Sequence, residues 1–139
     1  MPMMVDCFLD TNILVYAALG RGAEERKRAK AADLMGRTNF GLSAQVLQEF
    51  YTVVIRKPDR PLTPARALEW IEELERQPCA AIDASLVKIA IEMSLDYRIA
   101  YWDGAILAAA ERLGAEIVYT EDLNHGQSYG PVQVINPFL

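Results

Sequence analysis

Four acidic residues stand where the chain's pattern changes, and their positions suggest shared chemistry. Asp10 follows the apolar run Cys7-Phe8-Leu9 and precedes an apolar helical pattern. Asp122 follows "EIVYTE" in the same way. In "YWDGAILAAAERLG" the apolar stripe is Ile106, Leu107, Ala110 and Leu113. Asp103 lies three and four residues before the first two of these, so it falls inside the stripe. Glu49, in "SAQVLQEFYTVV", lies at the margin of the stripe formed by Val46, Leu47, Phe50, Val53 and Val54.

Each acid alone has a plain structural explanation. Asp10 suits a helix N-cap. Asp103 suits the first turn of a helix, where the dipole favours negative charge. Asp122 could make a loop turn before Asn124, and Glu49 could be a surface acid. Together they call for another account. If they converge to about 5 Å, each pair repels by about 3 kcal/mol at an effective dielectric of 20. A cation relieves such a cluster, and carboxylate oxygens without imidazole or thiolate suit Mg²⁺ or Mn²⁺. Such ions activate water and brace a phosphodiester during in-line displacement. The single histidine, His125, reads as a loop residue that this chemistry does not need.

The elements that must position these acids can be read from periodicity and punctuation. Met4–Leu9 reads as a short buried strand and Thr11–Leu19 as a helix ended by Gly20. Ala23–Met35 reads as a second helix, with Glu24 four residues before Arg28 for a helical ion pair. Asn39–Ser43 is strand-like, and Ala44–Lys57 is helical up to Pro58. Thr63 is an expected N-cap with Pro64 at the first helical position, and "CAAID" is a candidate strand. Ser85–Leu95 and Tyr101–Leu113 read as helices, and Glu116–Thr120 reads as a strand. "PVQVINPF" reads as a last strand near a sheet edge because of its prolines. Strands alternating with helices predict an α/β fold with helices on both faces of a parallel sheet. Ligands of such sheets bind beyond the strands' carboxyl ends, where Asp10 and Asp122 fall.

Composition sets the outer limits. The 139 residues make one expected domain, 1–139, with 52% hydrophobic and 24% charged residues, as in ordinary globular proteins. No apolar run is long enough to span a bilayer. "MPMMVDCFLD" lacks the basic start of a signal peptide, so a cytoplasmic location is expected. Cys7 and Cys79 do not indicate a disulfide framework, and Cys7 is expected to be a buried thiol. The net charge of -5 argues against nucleic-acid binding by bulk charge. Basic residues nevertheless cluster: Arg21, Arg26, Lys27, Arg28 and Lys30, then Arg56, Lys57 and Arg60. They form either a solvated helix face or a basic rim beside an acidic pocket, and Arg21, Arg26 and Lys27 are the candidate RNA contacts.

The motifs in order resemble the PIN-domain ribonucleases, most closely the VapC toxins of bacterial type II toxin–antitoxin pairs. "FLDTNILVY" is similar to the first family motif, "LSAQVLQEFY" to the second, and "YWDGAILAAAERLGAEIVYTEDLNHG" to the third and fourth. The resemblance spans nearly the whole chain. It departs where Ala100 replaces a frequent Ser or Thr, where Gly104 replaces a frequent Ala, and where Asn124 replaces a further acid of some members. All four acids remain.

The resemblance implies a three-layer α/β/α domain with a central parallel sheet of about 4–5 strands. It implies catalytic Asp10, Glu49, Asp103 and Asp122. Asp10 and Asp103 would hold Mg²⁺ or Mn²⁺, with Glu49 and Asp122 joining directly or through water. Thr11 and Asn12 would orient Asp10 or the attacking water, and Ser43 and Thr120 would support the site through hydrogen bonds. It further implies hydrolysis of single-stranded or looped RNA such as transfer or ribosomal RNA, a homodimer, and an antitoxin partner. Three rival readings are a PIN nuclease of RNA processing without an antitoxin, a non-catalytic binding module, and a haloacid-dehalogenase-type phosphatase. The last needs a second Asp where this chain has Asn12.

Overall fold

A computed structural model describes residues 5–139. Met4, assigned to the first strand from sequence, lies outside the described residues. The elements are β1 (Cys7–Leu9), α1 (Thr11–Leu19), α2 (Glu25–Arg37), β2 (Phe40–Ser43), α3 (Ala44–Val54) and α4 (Pro64–Leu74). They continue with β3 (Cys79–Ala80), α5 (Ala84–Tyr97), α6 (Tyr101–Arg112), β4 (Ile117–Tyr119), β5 (Ser128–Tyr129) and β6 (Val132–Ile135).

The six strands form one sheet in the order β3-β2-β1-β4-β6-β5. Every neighbouring pair is parallel except β5–β6. The chain steps from β1 to β2 to β3 in one direction through α1–α4. It then returns past β1 to β4 through α5 and α6. Right-handed crossovers in opposite directions place the two helix groups on opposite faces. This is the α/β sandwich that the sequence predicts.

The extra strand is β5, two residues long and too short to show a period of two. Its turn into β6 uses Gly130 at φ 61, a left-handed conformation that glycine adopts freely. β6 is thus next to the edge, and β5 forms the edge itself.

Helix boundaries follow caps. The side chains of Asp10, Ser43, Thr63 and Asp83 each accept a hydrogen bond at the start of α1, α3, α4 and α5. α3 ends at Val54, short of the expected Lys57, and the Val54 carbonyl accepts a hydrogen bond of 2.9 Å from Leu62 N–H. α2 starts later than expected because Gly22–Glu24 form a 3-10 turn. Glu24 is therefore outside the helix, and Arg28 pairs with Glu25 instead.

Phe8, Leu9, Ile13, Leu14, Val46, Phe50, Leu107 and Val118 are fully buried. α6 is buried continuously from Gly104 to Ala110. A Cβ at Gly104 would lie 2.6 Å from the Ala90 carbonyl oxygen, so glycine permits the close α5–α6 approach. That contact accounts for the departure at this position. Cys7 is buried and both thiols are free, as expected.

Candidate active site

The sheet changes direction beside β1, which has β2 on one side and β4 on the other. The carboxyl ends of β1 and β4 therefore flank the topological switch point. Asp10 and Thr120 occupy these ends. The ladder continues through Asp10, whose N–H donates to the Tyr119 carbonyl at 3.1 Å.

Asp10 is only 6% exposed. Its Oδ1 accepts from Thr11 N–H at 2.7 Å, and its Oδ2 accepts from the Thr120 hydroxyl at 2.8 Å. Burial pushes the Asp10 carboxyl up to about 7. The two hydrogen bonds oppose that rise, while the charges of Asp122 and Glu49 add to it. The N-cap explanation is thus correct but incomplete: Asp10 caps α1 and also carries an unfavourable charge in a confined place.

Thr120 is fully buried and organises its surroundings. Besides donating to Asp10, its hydroxyl oxygen accepts from Asn12 Nδ2 at 3.2 Å and from Asp122 N–H at 3.1 Å. Asn12 Nδ2 also donates to Asp122 Oδ2 at 3.1 Å. Asp122 is exposed, so these bonds fix an otherwise free loop acid. Asn12 Oδ1 is the one buried side-chain polar atom among the described residues without a partner.

Glu49 enters from α3. Its Oε2 accepts from the Thr11 hydroxyl at 3.2 Å, and its Oε1 accepts from Gln45 Nε2 at 2.7 Å. Gln45 Nε2 also donates to the Trp102 carbonyl at 3.2 Å. This buried amide ties α3 to the first turn of α6, where Asp103 resides. Asp103 is half-buried, and its carboxyl is raised by burial first and then by the charges of Asp122 and Glu49. The four acids are thus one electrostatic group. Among the described residues, no Lys or Arg forms an ion pair with any of them.

Ser43 is buried and caps α3 through Val46 N–H at 3.3 Å, with no hydrogen bond to the acids. Of the candidate basic residues, Arg26 donates to the Phe138 carbonyl at 2.7 Å. Lys27 pairs with Glu121 at 3.0 Å and donates to the Tyr16 hydroxyl at 3.2 Å. Arg21 lines a crevice of about 250 Å³ together with Lys57 and Arg60. A second crevice of about 300 Å³ contains Thr11, Asn12, Glu49, Glu121 and Asp122. The two share Val15, Tyr16, Glu24 and Lys57, so an acidic recess adjoins a rim on which Arg21, Lys57 and Arg60 stand beside Glu24 and Asp59. The rim thus combines Arg21 with two residues of the second basic cluster. Sequence reading did not single out Gln45, although its position four residues before Glu49 on one helix face was visible.

As placed, no three Asp, Glu, His or Cys side chains among the described residues form a metal cluster. The donor chemistry nevertheless fits Mg²⁺ or Mn²⁺. It offers four hard carboxylates with no imidazole or thiolate among them, their charges uncompensated, and an orphaned amide oxygen beside them.

Comparisons with known proteins identify the fold and the family. A family model described as PIN domain matches residues 7–128. No curated protein sequence matches the chain. Among solved structures, VapC20 of Mycobacterium tuberculosis, a sarcin-ricin-loop-cleaving toxin, aligns with a TM-score of 0.67 and 20% identity, covering 84% of this chain and 89% of that one. A toxin–antitoxin complex from Klebsiella pneumoniae aligns with a TM-score of 0.70 and 16% identity, covering 94% and 97%. VapBC2 of Rickettsia felis, bound to a DNA fragment from its promoter, aligns with a TM-score of 0.63 and 17% identity, covering 92% and 96%. At these identities the structural likeness establishes a shared fold.

Proposed function

We propose that this chain, which belongs to the PIN domain family, is a divalent-metal-dependent endoribonuclease and the toxin of a type II toxin–antitoxin pair. One observation supports the nuclease reading: the charges of Glu49 and Asp122 act on both Asp10 and Asp103 at the switch point, and among the described residues no Lys or Arg forms an ion pair with any of the four. Asp10 and Asp103 would hold Mg²⁺ or Mn²⁺, with Glu49 and Asp122 completing the set directly or through water. The bound ion would supply a water of lowered pKa and a counter-charge for the phosphodiester.

The chain's own residues have separable tasks. Thr120 and Thr11 N–H fix both oxygens of Asp10 in place. Asn12 holds Asp122 through its amide nitrogen and leaves Oδ1 free to accept a hydrogen bond that would orient an attacking water. Thr11 and Gln45 each hold one oxygen of Glu49. Arg21, Lys57 and Arg60 line the adjoining crevice beside Glu24 and Asp59, where a phosphate backbone would meet a local excess of positive charge despite the net charge of -5.

The toxin reading draws on the family and on solved neighbours that are themselves toxins or toxin–antitoxin complexes. It implies a cytoplasmic homodimer and a small antitoxin that places an Arg against the acids. That Arg would compete with the metal through a bidentate contact. No helix among the described residues is long and apolar enough to cross a membrane.

The test is inducible expression in a bacterium. Growth arrest by the wild-type chain, absence of arrest with Asp10→Asn, and rescue by the neighbouring open reading frame would support the reading. Undisturbed growth, with no neighbouring product that binds, would favour an RNA-processing nuclease without an antitoxin.

A further inference from the structure

Trp102 is 65% exposed, although it sits in the first turn of a helix that is buried from Gly104 to Ala110. It immediately precedes Asp103, and its carbonyl is tied through Gln45 to Glu49. Its ring meets Tyr101 edge-on at 5.0 Å, which supports the indole from one side. Trp102, Gln45, Gln48, Glu49 and Thr52 line a cleft of about 470 Å³. No Lys or Arg lines that cleft, so it offers nothing to a phosphate. It offers an aromatic face beside amide and hydroxyl groups, which suits a planar, hydrogen-bonding heterocycle.

Glu49 lies at the boundary between this cleft and the acidic recess. The recess opens in turn onto the rim of Arg21, Lys57 and Arg60. Three surfaces therefore adjoin in sequence: a rim whose cations outnumber its acids, the acidic recess and an aromatic cleft. A nucleic-acid strand needs the same three features where it is cut: contacts for flanking phosphates, the reacting centre, and a place for an unstacked base. Paired bases in an A-form helix are unavailable for stacking on protein, whereas a splayed base in a loop or single strand is available.

We infer that Trp102 is a nucleobase platform: it stacks one unpaired RNA base beside the cleavage site, with Gln48 and Thr52 along that base's edge. This rests on the nuclease reading and adds to it the side chain that receives an unpaired base. Trp102 acts in binding and positioning and takes no part in bond breaking.

The experiment uses two measurements on the same samples. Trp70→Phe leaves Trp102 as the sole tryptophan, and Asp10→Asn prevents cleavage. A fluorescein-labelled single-stranded oligoribonucleotide is titrated in, with binding read by anisotropy at the dye and stacking by quenching of Trp102. A version abasic at one position per molecule, scanned along the strand, is the control.

The intact strand should bind and quench, and one abasic position should bind without quenching. Trp102→Ala should weaken binding roughly ten-fold, within the range for one base on an aromatic ring, while Trp102→Phe retains most of the affinity. Binding without quenching, or Trp102→Ala binding as tightly as its parent, overturns the inference and leaves the nuclease reading intact. A change in Trp102 emission that follows protein concentration alone, and is insensitive to RNA, also overturns it and assigns the indole to a protein contact. No anisotropy change with any RNA removes the nuclease reading as well.

Discussion

Asp10 and Asp103 are the same side chain under the influence of the same two acids, Asp122 and Glu49, yet the fold holds them differently. Asp10 ends a central strand, is 6% exposed and receives two hydrogen bonds. Asp103 begins a helix, is half-buried and receives none among the described residues. One half of the site is built into the sheet. The other half rests on the first turn of α6 and is tied to α3 through the Gln45 amide. In the proposed site, a carboxylate fixed at the sheet by two hydrogen bonds is thus combined with one that receives none among the described residues. The difference also separates what each residue owes to stability from what it owes to chemistry.

The largest effects are on activity and should not distinguish the two. Asp10→Asn and Asp103→Asn each remove a charge from the proposed metal site, and single-turnover RNA cleavage should fall by at least about a hundred-fold in either variant. If Asp103→Asn keeps most of the activity, only the sheet-borne half is catalytic and the comparison loses its meaning.

Stability without metal should separate them. Folded Asp10 holds its proton up to about 7, against 3.8 in the reference state. Below the lower value both states are protonated and the group favours neither. As pH rises from about 4 to about 7, the unfolded chain releases the proton while the folded chain retains it. The folded state therefore loses stability, by on the order of 4 kcal/mol at completion. Urea unfolding in EDTA from pH 4 to pH 8 should show this decline, and Asp10→Asn should flatten it. Asp103 contributes in the same direction, but from a half-exposed position, so Asp103→Asn should flatten the curve less. Equal flattening by the two variants would contradict the assigned difference in burial.

Thr120→Val keeps the volume and removes the hydroxyl that serves Asp10, Asn12 and Asp122. It should cost about 1–3 kcal/mol, as expected for leaving buried polar groups unpaired, and reduce cleavage together with stability. Gln45→Ala should have the smallest effect, a several-fold loss of cleavage with little change in melting temperature. It frees Glu49 and the α6 terminus while leaving the core intact. A large drop in melting temperature would make Gln45 a core residue and not a positioning one.

Much of this arrangement was legible in sequence because it depends on local pattern. Asp10 and Asp122 were placed by the ends of apolar runs, and Asp103 by its position in a helical stripe. Thr63 and Pro64 marked the start of α4. The unread features depend on contacts distant in the chain. Gln45 bridging to Trp102 and Thr120 serving three partners leave no periodic trace. β5 was missed because its two residues, Ser128–Tyr129, lie in a polar, glycine-flanked stretch and lack the apolar run that marked the equally short β3 in "CAAID". The Glu24–Arg28 pair was misassigned because spacing alone could not show that the helix begins after Glu24.

The central claim is that these four acids work as a divalent-metal site that cuts RNA. The most direct measurement is cleavage of a single-stranded RNA by the purified protein, stripped with EDTA and then titrated with Mg²⁺ or Mn²⁺. Cleavage should be absent in EDTA, return on addition of either ion, and fail to return for Asp103→Asn at the same concentrations. Undiminished cleavage in excess EDTA would contradict the account.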